Sequence, residues 1–196
     1  MTTQSPGRPP VTTHGAIEAA AFSLFADRGF DETTTDEIAA AVGIGRRTLF
    51  RYYPSKNDIP WGQFDASLVH FRAVLDREPR DIPLWQAVQR GVVQFNSFDE
   101  SVMEQHRFRM RLILHTPSLQ AHSVLMYERW RAVIADFVSA RTGEPRESLL
   151  PRTAGHVSLA LAISAYEQWL KPGAPRLPVL LDRAMTGLRA YLVPDE

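Results

Sequence analysis

The chain has 196 residues, 44% of them hydrophobic, with 22 basic and 22 acidic residues and a formal net charge of zero. That apolar share is ample for a core and too low for an integral membrane protein, and the longest nearly apolar run, around Val157 to Tyr166, falls well short of the ~20 residues of a membrane helix. With no cysteine, disulfides, thiol catalysis and cysteine-held zinc are excluded.

Residues 1–12 are rich in Pro, Thr and Gly and read as a disordered tail. They lack the apolar core of a signal peptide, which points to a cytoplasmic protein. Thr13 is the candidate N-cap of a helix that runs to Arg28, with Ile17, Ala20, Ala21, Leu24 and Phe25 on one face and Gly29 as its stop. Thr34 begins a second helix, and Glu37 three residues on completes a capping box. Ile38 and Val42 form its buried stripe at i, i+4. Gly43 falls where the chain needs a positive φ, and Ile44 plugs the turn. Gly45 or Arg46 opens a third helix, with Leu49 and Tyr53 facing inward and Arg46, Arg47, Thr48, Arg51 and Tyr52 on the outer side. Two short helices joined by a glycine turn make a helix-turn-helix, whose second helix can enter the major groove.

Charge sharpens this reading. Residues 1–56 balance six cations against six acids, yet Arg46 to Lys56 holds four cations and no acid. The basic surface is local to the proposed reading helix.

Ser55 with Asp58 is a second capping box. It starts a helix that reaches Asp76, with Phe64, Leu68, Phe71 and Leu75 inward. Pro60 in its second turn removes a backbone donor, so a kink or a later start near Trp61 is expected. Further helices follow over Leu84–Phe98, Val102–His115, Ser118–Arg141, Leu149–Leu170 and Leu177–Leu192. The inward faces are Leu84, Trp85, Val88, Val92 and Phe95 in the first of these, and Met126, Trp130, Val133, Ile134 and Phe137 in the third. The last carries a seam of Leu181, Ala184, Met185, Leu188, Tyr191 and Leu192. His156 to Tyr166 is apolar almost all round, so that helix is buried on two sides, by the core alone or by the core and a second subunit. No strand pattern or repeat is present. The fold class is all-α, with a tail over 1–12, a helix-turn-helix domain over 13–58 and a helical body over 59–196.

The first domain resembles that of the TetR family of bacterial transcriptional regulators. The residues that carry the likeness are Phe25, Gly29, Phe30, Thr33, Thr34, Ile38, Ala39, Gly43, Ile44, Thr48, Leu49, Tyr52, Tyr53 and Lys56. The chain departs from the family pattern at Ala41-Val42 before the turn glycine, at Gly45 in place of Ser, and at Phe50 in place of Tyr, which removes a phosphate hydroxyl contact. The resemblance implies a dimer that binds a palindromic double-stranded operator and is released by a small-molecule effector. Dimerisation through the last two helices as a four-helix bundle is part of what it implies. In that frame Arg46, Arg47 and Thr48 approach base edges, with Gly45 and Arg51 at the same surface. Thr34, Thr35, Tyr52 and Lys56 hold phosphates. The tripeptide Gly7-Arg8-Pro9 resembles family tails that lay an Arg into the minor groove; a solvated tail is the other reading.

The segments Arg46–Asp58 and Arg109–Ser123 resemble the mycofactocin-associated branch of the family, whose regulators carry an acyl-CoA-like ligand-binding domain. That likeness implies a long-chain acyl-CoA as effector. Apolar candidates for its cavity are Trp61, Phe64, Phe71, Met110, Leu114, Met126, Trp130, Tyr166 and Trp169, each of which also reads as plain core. Arg107 and Arg111, at i, i+4, suit phosphate or carboxylate recognition, or form a solvated face partnered by Glu104. A competing reading is an all-helical acyl-binding module or enzyme without DNA affinity. Against an enzyme, the histidines His14, His70, His106, His115, His122 and His156 show no metal-ligand spacing, and no nucleophile elbow, phosphate loop or dinucleotide motif occurs. No cofactor or metal is expected.

Overall fold

The computed structural model describes residues 12–192. The chain divides into two compact units, the first ending at Gly62 and the second beginning at Gln63.

In the first unit, α1 spans His14–Arg28, and the Thr13 hydroxyl caps it by accepting the Ala16 amide at 3.1 Å. Ile17, Ala21, Phe22 and Phe25 are buried, so Phe22 takes an inner place while Ala20 and Leu24 stay half-buried. Phe30 folds back with its ring 4.8 Å from that of Phe25. The capping box of Thr34 and Glu37 opens α2, Thr35–Ala41. Gly43, at φ 68°, then turns the chain into α3, Arg46–Tyr52. A side chain at that φ would be strained, so the turn depends on glycine. Ile38, Leu49, Tyr53 and Ile59 complete the core. Each large apolar side chain buried this way contributes about 1.5–3 kcal/mol.

The second capping box also forms, with the Ser55 amide donating to Asp58 Oδ2 at 2.8 Å. What it starts is a 3-10 helix, Lys56–Trp61, and not the expected long helix. Pro60 is buried inside this helix, and Gly62, at φ 59°, breaks the chain direction. Helix α4 begins only at Phe64 and ends at Asp76.

The second unit continues with α5 (Leu84–Phe95), a 3-10 turn (Glu100–Val102), α6 (Met103–His115), α7 (Pro117–Thr142), α8 (Leu149–Trp169) and α9 (Leu177–Leu192). Helix α7 packs against α8, α8 against α9, α4 against α5 and α7, α6 against α7, and α5 against α9. No strand occurs among the described residues. The core comprises Leu68, Phe71 and Leu75 of α4, Val88 and Val92 of α5, Trp130 to Val138 of α7, Ala162 to Trp169 of α8, and Leu177 and Leu181 of α9.

Three expectations need correction. Helix α5 stops at Phe95, where the Asn96 side-chain amide donates to the Val92 carbonyl at 2.8 Å and caps the end. Trp85 is not inward; it is exposed, with the Arg189 guanidinium 4.5 Å from its ring. On α9, Leu181 is buried, whereas Tyr191 and Leu192 lie open to solvent. At Gly155 of α8 a Cβ would sit 2.8 Å from the Arg131 carbonyl oxygen of α7, so these two helices meet backbone to backbone there.

Candidate nucleic-acid interface and ligand body

Helix α3 is fixed from beneath. Leu49 is 1% exposed, and the Tyr53 hydroxyl donates to Glu18 Oε1 at 2.7 Å. Above this base the chain presents Gly45, Arg46, Arg47, Phe50 and Arg51 to solvent, with Thr48 half-buried. The guanidiniums differ in their surroundings. Arg46 pairs with Asp36 of α2 at 3.4 Å, and its charge lies 5.4 Å from the Phe50 ring centre. Arg47 and Arg51 form no ion pair among the described residues.

The four residues expected to hold phosphates separate into one with an open donor and three already bonded. Thr34 is the cap of α2: its hydroxyl accepts the Glu37 amide at 3.2 Å and donates to Glu37 Oε2 at 2.8 Å. Its own amide donates to the same oxygen, also at 2.8 Å. These bonds to Thr34, with Arg28 at 2.6 Å on the other oxygen, hold the Glu37 carboxyl below the usual carboxylate range. The Tyr52 hydroxyl donates its one proton to the Thr12 carbonyl at 2.7 Å. Lys56 Nζ donates to the carbonyls of Phe30, Asp31 and Thr33 at 2.8, 3.2 and 2.9 Å, which engages all three of its protons. Burial lowers the Lys56 pKa, while Asp31 and Glu32 act in the opposite sense. Phosphate contacts by Thr34, Tyr52 or Lys56 would require breaking these bonds. Thr35, half-buried, has no such engagement among the described residues.

In the body, Phe71, Trp130, Tyr166 and Trp169 sit in the buried core, with Phe64, Met110 and Leu114 half-buried against it. Phe71 stacks on Trp130, ring centres 5.1 Å apart. Met126 is half-buried and outside that cluster, and Trp61 belongs to the first unit. Arg107 is not partnered by Glu104: it donates to the Trp169 carbonyl at the end of α8 and lies 4.2 Å from the indole centre. Arg111 is exposed and without an ion pair among the described residues.

A polar chain inside this core escaped sequence reasoning. The Tyr166 hydroxyl donates to Asn96 Oδ1 at 2.7 Å, and His106 Nε2 lies 3.0 Å from the same hydroxyl. Since that hydroxyl has given its proton away, His106 donates to it as a neutral ring. Burial, and then Arg109, push the His106 pKa down to about 4. Burial pushes the Tyr166 phenol up.

Two surface cavities adjoin the body among the described residues. One of about 350 Å³ is lined by residues including Glu78, Gln89, Arg90 and Asp182; the other, of about 540 Å³, lies over Leu149, Arg152 and His156. None of the expected ligand residues lines either of them. Among the described residues no cluster of three His, Asp or Glu side chains could hold a metal ion, and no helix is long and apolar enough to cross a membrane.

Residues 17–59 match the family model of bacterial regulatory proteins of the tetR family, and residues 82–193 match that of the MftR C-terminal domain. A protein of Mycobacterium tuberculosis named MftR, for a mycofactocin biosynthesis transcriptional regulator, is 46% identical over 95% of this chain and 94% of its own. The transcriptional regulator TcmR of Streptomyces glaucescens is 27% identical, over 93% and 85% of the two chains. Among solved structures, Thermus thermophilus FadR, a repressor in complex with lauroyl-CoA, superposes with a TM-score of 0.60 at 21% identity, covering 94% of this chain and 97% of that one. Bacillus halodurans FadR, a fatty acid degradation regulator, does so with a TM-score of 0.65 at 14% identity, covering 94% and 100%. These two share the fold. The family is one of transcriptional regulators and not of enzymes, and on the two matched models and the 46% identical relative the chain belongs to it: a TetR-family regulator with a C-terminal domain of the MftR type.

Proposed function

We propose that the chain acts as a cytoplasmic homodimeric repressor that grips a palindromic operator with two copies of α3. A long-chain acyl-CoA taken up by the helical body releases it. The observation that carries the DNA half of this reading is the unopposed guanidinium pair on the outer face of α3, mounted on a closed helix-turn-helix unit. The unit ending at Gly62 is then the DNA-binding domain, and the unit from Gln63 holds the effector and the dimer face. Thr35 contacts phosphate, while Thr34, Tyr52 and Lys56 set the positions of α2 and α3. These contacts fix register, and side chains in the groove supply sequence.

The effector half is supported by the MftR-type body and by the lauroyl-CoA bound to a regulator of the same fold. Seven of the nine candidate apolar residues fill or border the core here, so an acyl chain enters by displacing side chains beneath α6. That helix has Ile113 as its buried residue and is the natural cover. Arg111 remains open for a CoA phosphate. Effector and operator then oppose each other through one coupling free energy.

The test is a gel-shift titration of DNA from upstream of the chain's own gene. A shift that weakens steeply with salt, and is reversed by palmitoyl-CoA but not by free CoA, is expected. A protein that shifts no such DNA, yet binds palmitoyl-CoA, is an acyl-binding module instead.

A further inference from the structure

We infer that base selection rests on Arg47 and Arg51, with Phe50 beside them, and that Arg46 positions the helix without reading a base. This inference depends on the DNA-binding reading above and goes beyond it by sorting the side chains of α3.

The sorting follows from helix geometry. At about 100° per residue, with Leu49 marking the core side, Arg47 and Arg51 project about 160° away from it. Both are exposed and neither is held by an acid among the described residues. Phe50 projects about 100° from Leu49 and is 36% exposed, an aromatic ring left open beside three arginines. Arg46 projects only about 60° from Leu49. It leans to α2, where Asp36 meets its charge, and it flanks the Phe50 ring. To reach a base it would have to leave both.

The chemistry of the operator follows. Arg forks suit the O6 and N7 acceptors of guanine, and a phenyl ring suits the methyl group of thymine. Arg47 and Arg51 are four residues apart, or about 6 Å along the helix axis. That is about two base steps at about 3.4 Å each. Each half-site therefore carries two guanines about two steps apart, on either strand, with a thymine next to the pair.

The test is selection of bound sequences from a random library, followed by titration of wild type, Arg47→Lys, Arg51→Lys, Arg46→Ala and Phe50→Ala on the selected site. The Lys variants keep the charge and lose the fork. Each is expected to relax one guanine position, lowering discrimination there about 5- to 150-fold. Arg46→Ala is expected to change affinity equally for all sites and leave the base preference intact. Replacing the thymine by deoxyuridine, which lacks the methyl group, is expected to weaken wild type severalfold and to leave Phe50→Ala unaffected. Full discrimination retained by both Lys variants, or a base position relaxed by Arg46→Ala, overturns the inference while the operator shift stands. A wild type that selects no sequence overturns the DNA-binding reading itself.

Discussion

At His106 one ring joins two other helical segments. It reaches Tyr166 of α8, which in turn holds Asn96 at the end of α5. The ring is neutral in the fold, with its pKa pushed from 6.5 to about 4. Below pH 6.5 the unfolded chain takes up a proton that the folded chain refuses until about pH 4, so stability falls as pH drops through that window. At about 1.4 kcal/mol per unit the full loss is about 3 kcal/mol. His106→Gln should flatten the dependence of Tm on pH between those values; parallel curves for wild type and variant would refute the assignment. None of this was legible beforehand, because Asn96 and Tyr166 lie 70 positions apart and no periodicity connects them. The same holds for Lys56, which the family pattern offers as a phosphate contact and the fold uses to clamp carbonyls 23 to 26 positions upstream. By contrast Thr34, Glu37, Gly43 and Leu49 were readable, since a cap, a turn and a buried stripe are written within a few residues of one another.

Among the elements, helices α7 and α8 approach closely where Gly155 faces the Arg131 carbonyl. Alanine is the better helix former by about 1 kcal/mol. Here its Cβ would meet a backbone oxygen at 2.8 Å, and a helix backbone yields less readily than a side chain. Overpacking of this kind costs about 1–3 kcal/mol, so the clash outweighs the propensity. Gly155→Ala should lower the denaturation midpoint, and an unchanged or raised midpoint would show that α8 shifts freely. Helix spans in this unit were mostly legible from apolar spacing, α9 at its start and α4 at its C-terminus. The start of α4, expected after a kink or late near Trp61, is late and falls at Phe64. Pro60 announces a disturbance, but whether it bends a helix or confines the segment to a 3-10 turn depends on the burial of Ile59 and Pro60 and on the positive φ at Gly62. Trp85 misled for a related reason: its spacing suits the core, but Arg189 of another helix gives its ring a partner at the surface.

On the scale of the whole molecule, the outer faces of α8 and α9 leave large apolar groups uncovered, with Leu149 83% and Tyr191 80% exposed. Val157 and Ala160 of α8 and Val179 of α9 are exposed as well. A run of such groups on two adjacent helices suits a second copy, and the two-fold operator of the proposed function needs one. Leu149→Asp combined with Tyr191→Asp should convert the proposed dimer to a 22.1 kDa monomer in sedimentation and abolish the operator shift, while the circular dichroism of the helices persists. A doubly substituted protein that still sediments as a dimer would place the interface elsewhere. The first unit adds a consequence of its own. Two of its acids lie against cations, Glu37 on Arg28 and Asp36 on Arg46, which leaves fewer positive charges over for an arbitrary stretch of duplex. On the proposed reading, such a molecule dwells only briefly on random sequence, where counterion release is the main attraction. A small number of copies per cell then suffices to keep the true site occupied, because little of the population is lost to the rest of the chromosome.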